Sequence, residues 1–331
     1  MSDGIQVDSI PHFGTVLDTA IELADSPQQR GILTGFERID SITDGMKEGL
    51  VLLMGTENVG KSALMQTLAM GMLINNNDTC WLHLSLDDPA RQTIYRIMAS
   101  REHVPINAMA DSIRYSDEVY VRARMNARSW IRSYQNRIVM LDSSYDDMIG
   151  DSICRIENIA KVINWQRERL THITEDHPDI VPKLIVTIDA FHNMVSKDPK
   201  VTTNEDYMGN MLKDLIPHNT IQTVLITPVH ENKSESRIKR AISTDQIKGS
   251  SGMPYHANLI LALHCEMNEK PDTDLFWVGA DNPTHLPILE TRVMKNKFSD
   301  HRGMVFFRFL PRTCTLVECT QEEHERYVMF L

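Results

Sequence analysis

A chain of 331 residues with 34 basic and 45 acidic side chains has a formal charge of −11; 42% of its residues are apolar and 24% charged. This is the composition of a folded globular protein, and with only 5 cysteines it excludes a collagen-like, wholly disordered or disulfide-stapled chain. No run of about 18 apolar residues occurs, and residues 1–11, with Asp3 and Asp8, lack a secretory pattern. The expected location is therefore the cytoplasm, with reduced thiols and no membrane partner.

Residues 1–13 show no periodicity and are expected to be a flexible tail. Between residues 16 and 24, Leu17, Ala20, Ile21 and Ala24 recur at helical spacing, and Pro27 then breaks the pattern. A short helix within 14–33 is predicted, packed on its own domain or on a neighbouring subunit. The main domain, 34–331, opens with an apolar run at 50–54 (L-V-L-L-M), read as a strand, and an Ala-, Leu- and Met-rich helix over 61–73. A strand at 80–86, a helix over 89–99, a strand at 138–141 and a helix over 153–170 follow. Residues 171–182, rich in His, Asp and Pro, are expected to be an exposed loop. Strands are predicted at 184–188, 223–227 and 259–263. The runs 304–310 and 314–317, separated by Pro311 and Arg312, read as an antiparallel pair at a sheet edge. The alternation predicts an α/β fold: a mostly parallel central sheet, helices on both faces and an antiparallel C-terminal edge.

The residues Gly55-Thr56-Glu57-Asn58-Val59-Gly60-Lys61-Ser62 match G-x-x-x-x-G-K-[ST] between a predicted strand and a predicted helix. Gly55 and Gly60 allow the backbone to curl so that N–H groups, including those of Thr56, Asn58, Val59 and Ala63, cradle phosphate oxygens at a helix N-terminus. Lys61 would reach the β- and γ-phosphates of ATP, and the Ser62 hydroxyl would ligand Mg²⁺. Asp189 ends the apolar run 184–188 and is the expected second Mg²⁺ ligand. Asp87 ends the 80–86 strand, where a carboxylate can position the attacking water. Its neighbour Asp88 is either a competitor for that role or a cap on the helix that follows. The segment 233–248 holds Lys233, Arg237, Lys239, Arg240 and Lys248 against Glu235 and Asp245, a basic stretch in an acidic chain. No C-x-x-C pair occurs, so no zinc site is expected.

In order, Thr34-Gly35-Phe36-Glu37-Arg38-Ile39-Asp40, the phosphate loop, Ser85-Leu86-Asp87, residues 184–194 (L-I-V-T-I-D-A-F-H-N-M) and 247–252 (I-K-G-S-S-G) resemble the RecA-like ATPase domain of DnaB-type replicative helicases. The likeness runs from about residue 14 to 318. It implies a hexameric ring with ATP between subunits and single-stranded DNA in the centre. Lys233, Arg237, Lys239, Arg240, Lys248, Gly249 and Ser250 then face the pore, where charges from several subunits act on one phosphate backbone without reading sequence. The predicted helix at 16–24 matches the family's linker helix, which docks on the next subunit. Too few residues precede Val16 for the family's N-terminal domain, so a separate primase or helicase loader is an expected partner.

Three positions depart from the family pattern. Asp87 stands where a catalytic Glu is usual. Lys295 and Lys297 match a K-x-R segment that acts on the neighbour's γ-phosphate, with Arg292 and Arg302 as nearby arginines that could stand in. The γ-phosphate-sensing Gln is absent from Ile226-Thr227-Pro228-Val229-His230, leaving His230 as the candidate sensor. A shorter carboxylate and a lysine without arginine's fork imply slow or conditional hydrolysis. The first expectation is an ATP-driven helicase. The alternatives are a nucleotide-switched DNA-binding scaffold ring with weak ATPase, and a RecA-like recombinase or annealing filament.

Overall fold

The computed structural model describes residues 31–176, 181–202, 205–217, 221–231, 252–279 and 282–330, together with Gly14, Leu17, Asp18, Ile21, Thr244 and Ile247. Its first half runs β1 (Gly49–Gly55), α1 (Lys61–Asn75), β2 (Thr79–Ser85), α2 (Ala90–Glu102), α3 (Glu118–Arg132), β3 (Ile138–Leu141), α4 (Ile156–Asp176) and β4 (Lys183–Asp189). There follow α5 (Glu205–Asp214), β5 (Gln222–His230), α6 (Met253–His256), β6 (Leu259–His264), β7 (Phe276–Gly279), β8 (Asn282–Asn296), β9 (Met304–Leu310), β10 (Thr315–Glu318) and α7 (Gln321–Val328). Among the described residues no helix is long and apolar enough to cross a membrane.

The strands form one sheet in the order β10-β9-β8-β6-β1-β5-β4-β2-β3, with β7 paired to β8 outside that path. From β6 to β3 the neighbours are parallel, whereas β8, β9 and β10 are antiparallel. Every residue of β1 is buried, as expected of a central strand covered on both faces. Alternation sorts its side chains. Leu50, Leu52 and Met54 join Ile156, Ile159 and Ile163 of α4 and Leu212 of α5, while Val51 and Leu53 join Leu64, Leu68 and Met72 of α1. Helix α1 lies close under the chain that leads into the domain. A Cβ at Gly71 would sit 2.0 Å from the Thr34 carbonyl oxygen, so only glycine permits this approach.

The expected loop over 171–182 is corrected in its first part, because α4 continues through Asp176. Leu170 and Ile173 carry the helix's apolar stripe onto the core, and His172 meets Glu175 on the outside at 3.0 Å. The expected strand at 314–317 begins one residue later, since Cys314 has φ +54° and turns the chain into β10. Phe307 of β9 is fully buried and meets Phe36 edge-on with ring centroids 5.1 Å apart, joining the antiparallel edge to the segment before β1. Phe307→Ala should therefore cost about 3–5 kcal/mol, read as a lower urea midpoint at unchanged m-value.

Candidate active site

Register brings the site together. Gly55 of β1 pairs with His230 of β5, and Ser85 of β2 pairs with Asp189 of β4. The carboxyl ends of four parallel strands thus share one edge, where ligands bind in open α/β sheets. The loop from β1 to α1 turns through Asn58 (φ +59°) and Gly60 (φ +109°). Gly60 is the N-cap of α1 and supplies no side-chain cap, which leaves the first-turn N–H groups for an anion. Asn58, Gly60, Lys61, Ser62 and Ala63 line a cleft of about 620 Å³ with Asp87, Asp88, Arg96, Asp189, His192, Pro228 and His230. Gly55 and Thr56 contribute carbonyls, described next. The Val59 side chain is buried in the core instead.

The Lys61 ammonium is held back on its own loop. Its Nζ donates to the carbonyl oxygens of Gly55 at 2.9 Å and Thr56 at 2.6 Å. Burial pushes its pKa down to about 8, against the pull of nearby Asp189. Ser62 Oγ donates to Asp189 Oδ1 at 3.2 Å. Burial raises the Asp189 pKa, and the Ser62 hydrogen bond opposes that rise. Both groups are strained electrostatically until an ion of opposite sign arrives.

The two aspartates after β2 separate clearly. Asp88 Oδ2 accepts from Arg96 Nη2 at 2.7 Å, and its carbonyl accepts from Ser85 Oγ at 2.6 Å. It does not cap α2: the Ala90 N–H is taken by Asp142 Oδ2 at 2.7 Å, from the loop after β3. Asp87 faces the cleft with no such tie. His230 is not alone either, since its Nε2 lies 2.9 Å from His192 Nε2. His192, Arg96 and Glu231 were all missed from sequence. His192 follows Asp189 by three residues and Arg96 sits two helical turns after Asp88, spacings that could have flagged both. Glu231 N–H donates to the Gly55 carbonyl at 3.3 Å, and burial, then Glu269, push its carboxyl up to about 7.

Beneath the cleft a buried polar chain fixes the strands. Trp81 Nε1 donates to Thr187 Oγ1 at 2.7 Å, His83 Nδ1 meets the same oxygen at 2.8 Å, and His83 Nε2 meets Thr93 Oγ1 at 3.1 Å. Burial lowers the His83 pKa to about 4, so the ring is neutral and can both donate and accept. This ties β2, β4 and α2, the elements that carry Asp87, Asp189 and Arg96.

Lys295 and Lys297 lie elsewhere. Lys295 pairs with Ile260 near the start of β6, and the Lys297 N–H donates to the Asn258 carbonyl at 2.8 Å. Through Ile260, Lys295 is level with Leu52, about 10 Å of strand from Gly55, and through Asn258, Lys297 is level with Leu50, about 17 Å away, at about 3.3 Å per residue. Lys295 Nζ donates to the Pro254 and Tyr255 carbonyls, and Lys297 Nζ to that of Tyr255 at 3.4 Å. Arg292 is engaged with buried Glu290 at 3.2 Å. The basic candidates Lys233, Arg237, Lys239, Arg240, Lys248, Gly249 and Ser250 lie outside the described residues, although Glu231 and Ile247, which flank most of them, form a β-bridge.

Comparison with known proteins gives the family and the fold. The family model described as the DnaB-like helicase C terminal domain matches residues 31–296. The replicative DNA helicase DnaB of Helicobacter pylori strain 26695 is 23% identical over 271 residues, covering 79% of this chain and 50% of that protein. Its counterpart in strain J99 is 22% identical over the same length. The chain thus spans about half the length of the curated relatives it matches. Two solved structures cover 94% of the chain with TM-scores of 0.71. One, of a DnaB-like replicative helicase and its interactions with primase, is 16% identical with 69% of its chain covered. The other, of an ATPase domain, is 18% identical with 100% covered. At these identities the structures speak for the fold, and the family follows from the model match over most of the chain: this protein belongs to the DnaB-like helicase C-terminal domain family.

Proposed function

We propose that this chain is an ATP-driven motor that assembles as a hexameric ring in the cytoplasm and moves along single-stranded DNA. The observation that carries the reading is the convergence of Lys61, Ser62, Asp189 and Asp87 on one cleft at the carboxyl edge of the sheet. Ser62 and Asp189 offer hard oxygen donors 3.2 Å apart in a buried anionic setting, a set that suits Mg²⁺. Bound there, the ion would neutralise charge on the phosphoryl group being transferred. Lys61 leaves its two carbonyls for phosphate oxygens, an exchange favoured because its charge is already largely desolvated. Asp87 orients water for attack on the γ-phosphorus, with ADP as leaving group. Lys295 and Lys297, remote from their own cleft, serve a neighbour's.

The N-terminal segment supports assembly. Gly14, Leu17, Asp18 and Ile21 are helical, with Leu17 and Ile21 exposed, and we assign this helix to a groove on the next subunit. A separate primase or helicase loader is the further partner class we propose.

Steady-state ATP hydrolysis with and without single-stranded DNA tests the reading. Stimulation by DNA of tenfold or so is expected of a coupled motor, with Lys61→Ala as control. Negligible turnover despite tight binding of ATP and DNA would instead select the nucleotide-switched scaffold, and an open filament by electron microscopy would select the recombinase.

A further inference from the structure

We propose that His192 and His230 form a two-imidazole contact that takes up one proton when a nucleoside triphosphate enters the cleft, and so presents one positive charge to its γ-phosphate. The inference rests on the reading of the cleft as an ATP site. His230 ends β5 and His192 lies in the turn after β4, so the contact bridges two adjacent strands at the edge where the phosphate loop sits. Their Nε2 atoms are 2.9 Å apart, with ring centroids 4.0 Å apart and planes inclined by 43°.

A hydrogen bond between two ring nitrogens needs one N–H and one lone pair. The neutral pair supplies both. The pair with one extra proton, on the donor ring's Nδ1, supplies both as well. A second extra proton converts the remaining lone pair into an N–H, and two donors then face each other. The contact therefore holds a charge of zero or one with its geometry intact.

Charges of both signs line the same cleft. Lys61 of α1 and Arg96 of α2 disfavour the extra proton, whereas Glu57, Asp87, Asp88 and Asp189 around the same cleft favour it, as does the carboxylate form of Glu231, which follows His230 in the chain. The γ-phosphate brings negative charge that a diphosphate lacks, and this tips the pair towards its charged form. The proton comes from solvent, no bond to phosphorus is made, and the proton returns to solvent once the γ-phosphate has left. The sign follows from linkage. A ligand that raises a group's pKa binds more tightly as pH falls through the range between the free and bound values. Such a pair would supply charge at the strand end from which the sensing glutamine is missing.

Calorimetry on the full chain, with Mg²⁺ present, in two buffers of different ionisation enthalpy counts the protons. The probes are a non-hydrolysable triphosphate analogue and ADP. Wild-type protein should take up as much as about one proton more with the triphosphate than either His192→Gln or His230→Gln does, while the counts with ADP agree across all three. Comparison with the variants removes the nucleotide's own ionisation from the difference. Ring-nitrogen shifts of wild-type protein carrying isotope-labelled histidine should report a second protonation of one ring on adding the triphosphate, a result that needs no substitution. Equal proton counts in wild type and both variants, or unchanged ring shifts at saturation, would overturn the proposal. Absence of binding by either nucleotide would overturn the reading of the cleft itself.

Discussion

Lys61→Ala should lower ATP turnover by about a hundredfold to a thousandfold while leaving the thermal melt nearly unchanged. The side chain reaches only two carbonyls of its own loop, so its loss opens no apolar cavity. Removing a desolvated ammonium, moreover, takes away a group whose charged form the site disfavours when empty. The effect should appear in nucleotide affinity and kcat together, because the same charge meets the phosphates in the ground state and in the transition state. Normal turnover in the variant would remove the phosphate-loop assignment.

Exchanging one oxygen of Asp87 separates it from its neighbour. Asp87→Asn should reduce kcat by about 10²–10⁴ with little change in KM, the expected cost of losing a positioned base. Asp88→Asn should act only through its partly exposed ion pair with Arg96, worth at most about 1 kcal/mol. Pre-steady-state phosphate release would read both. If the two variants were equally impaired, the water would be held by the Asp87–Asp88 turn as a unit rather than by Asp87.

What the sequence disclosed was local. The strand at 50–54, the glycine-framed loop and the helix after it are contiguous, and each announces the next through spacing alone. The long-range contacts were silent. Asp142 caps α2 across 52 positions, and His192 meets His230 across 38. Strand β8 escaped notice because Pro283 and Pro287 interrupt it. The structure tolerates Pro287 where β8 pairs only with short β7, and the pairing to β9 begins at Ile288. Helix α3 was missed for a different reason. Its core face holds Ala123 and Ala127, one turn apart, with Trp130 and Ile131 also packed against the core, but Val119, Val121 and Met125 are exposed apolar residues that blur the stripe in the sequence. The expected loop over 171–182 erred in the other direction: polar composition outweighed Ile173, whose contact with the core keeps α4 going.

The position of Lys295 and Lys297 restricts how copies of this chain can associate. The cleft lies at the carboxyl ends of the parallel strands and the lysines towards the amino ends. If the lysines complete a neighbour's cleft head to tail, the lysine end of each copy meeting the cleft end of the next, the contact is heterologous. Such contacts are polar, so every assembly built on them has a direction. Whether it closes or runs on as a helix depends only on the rotation between successive copies.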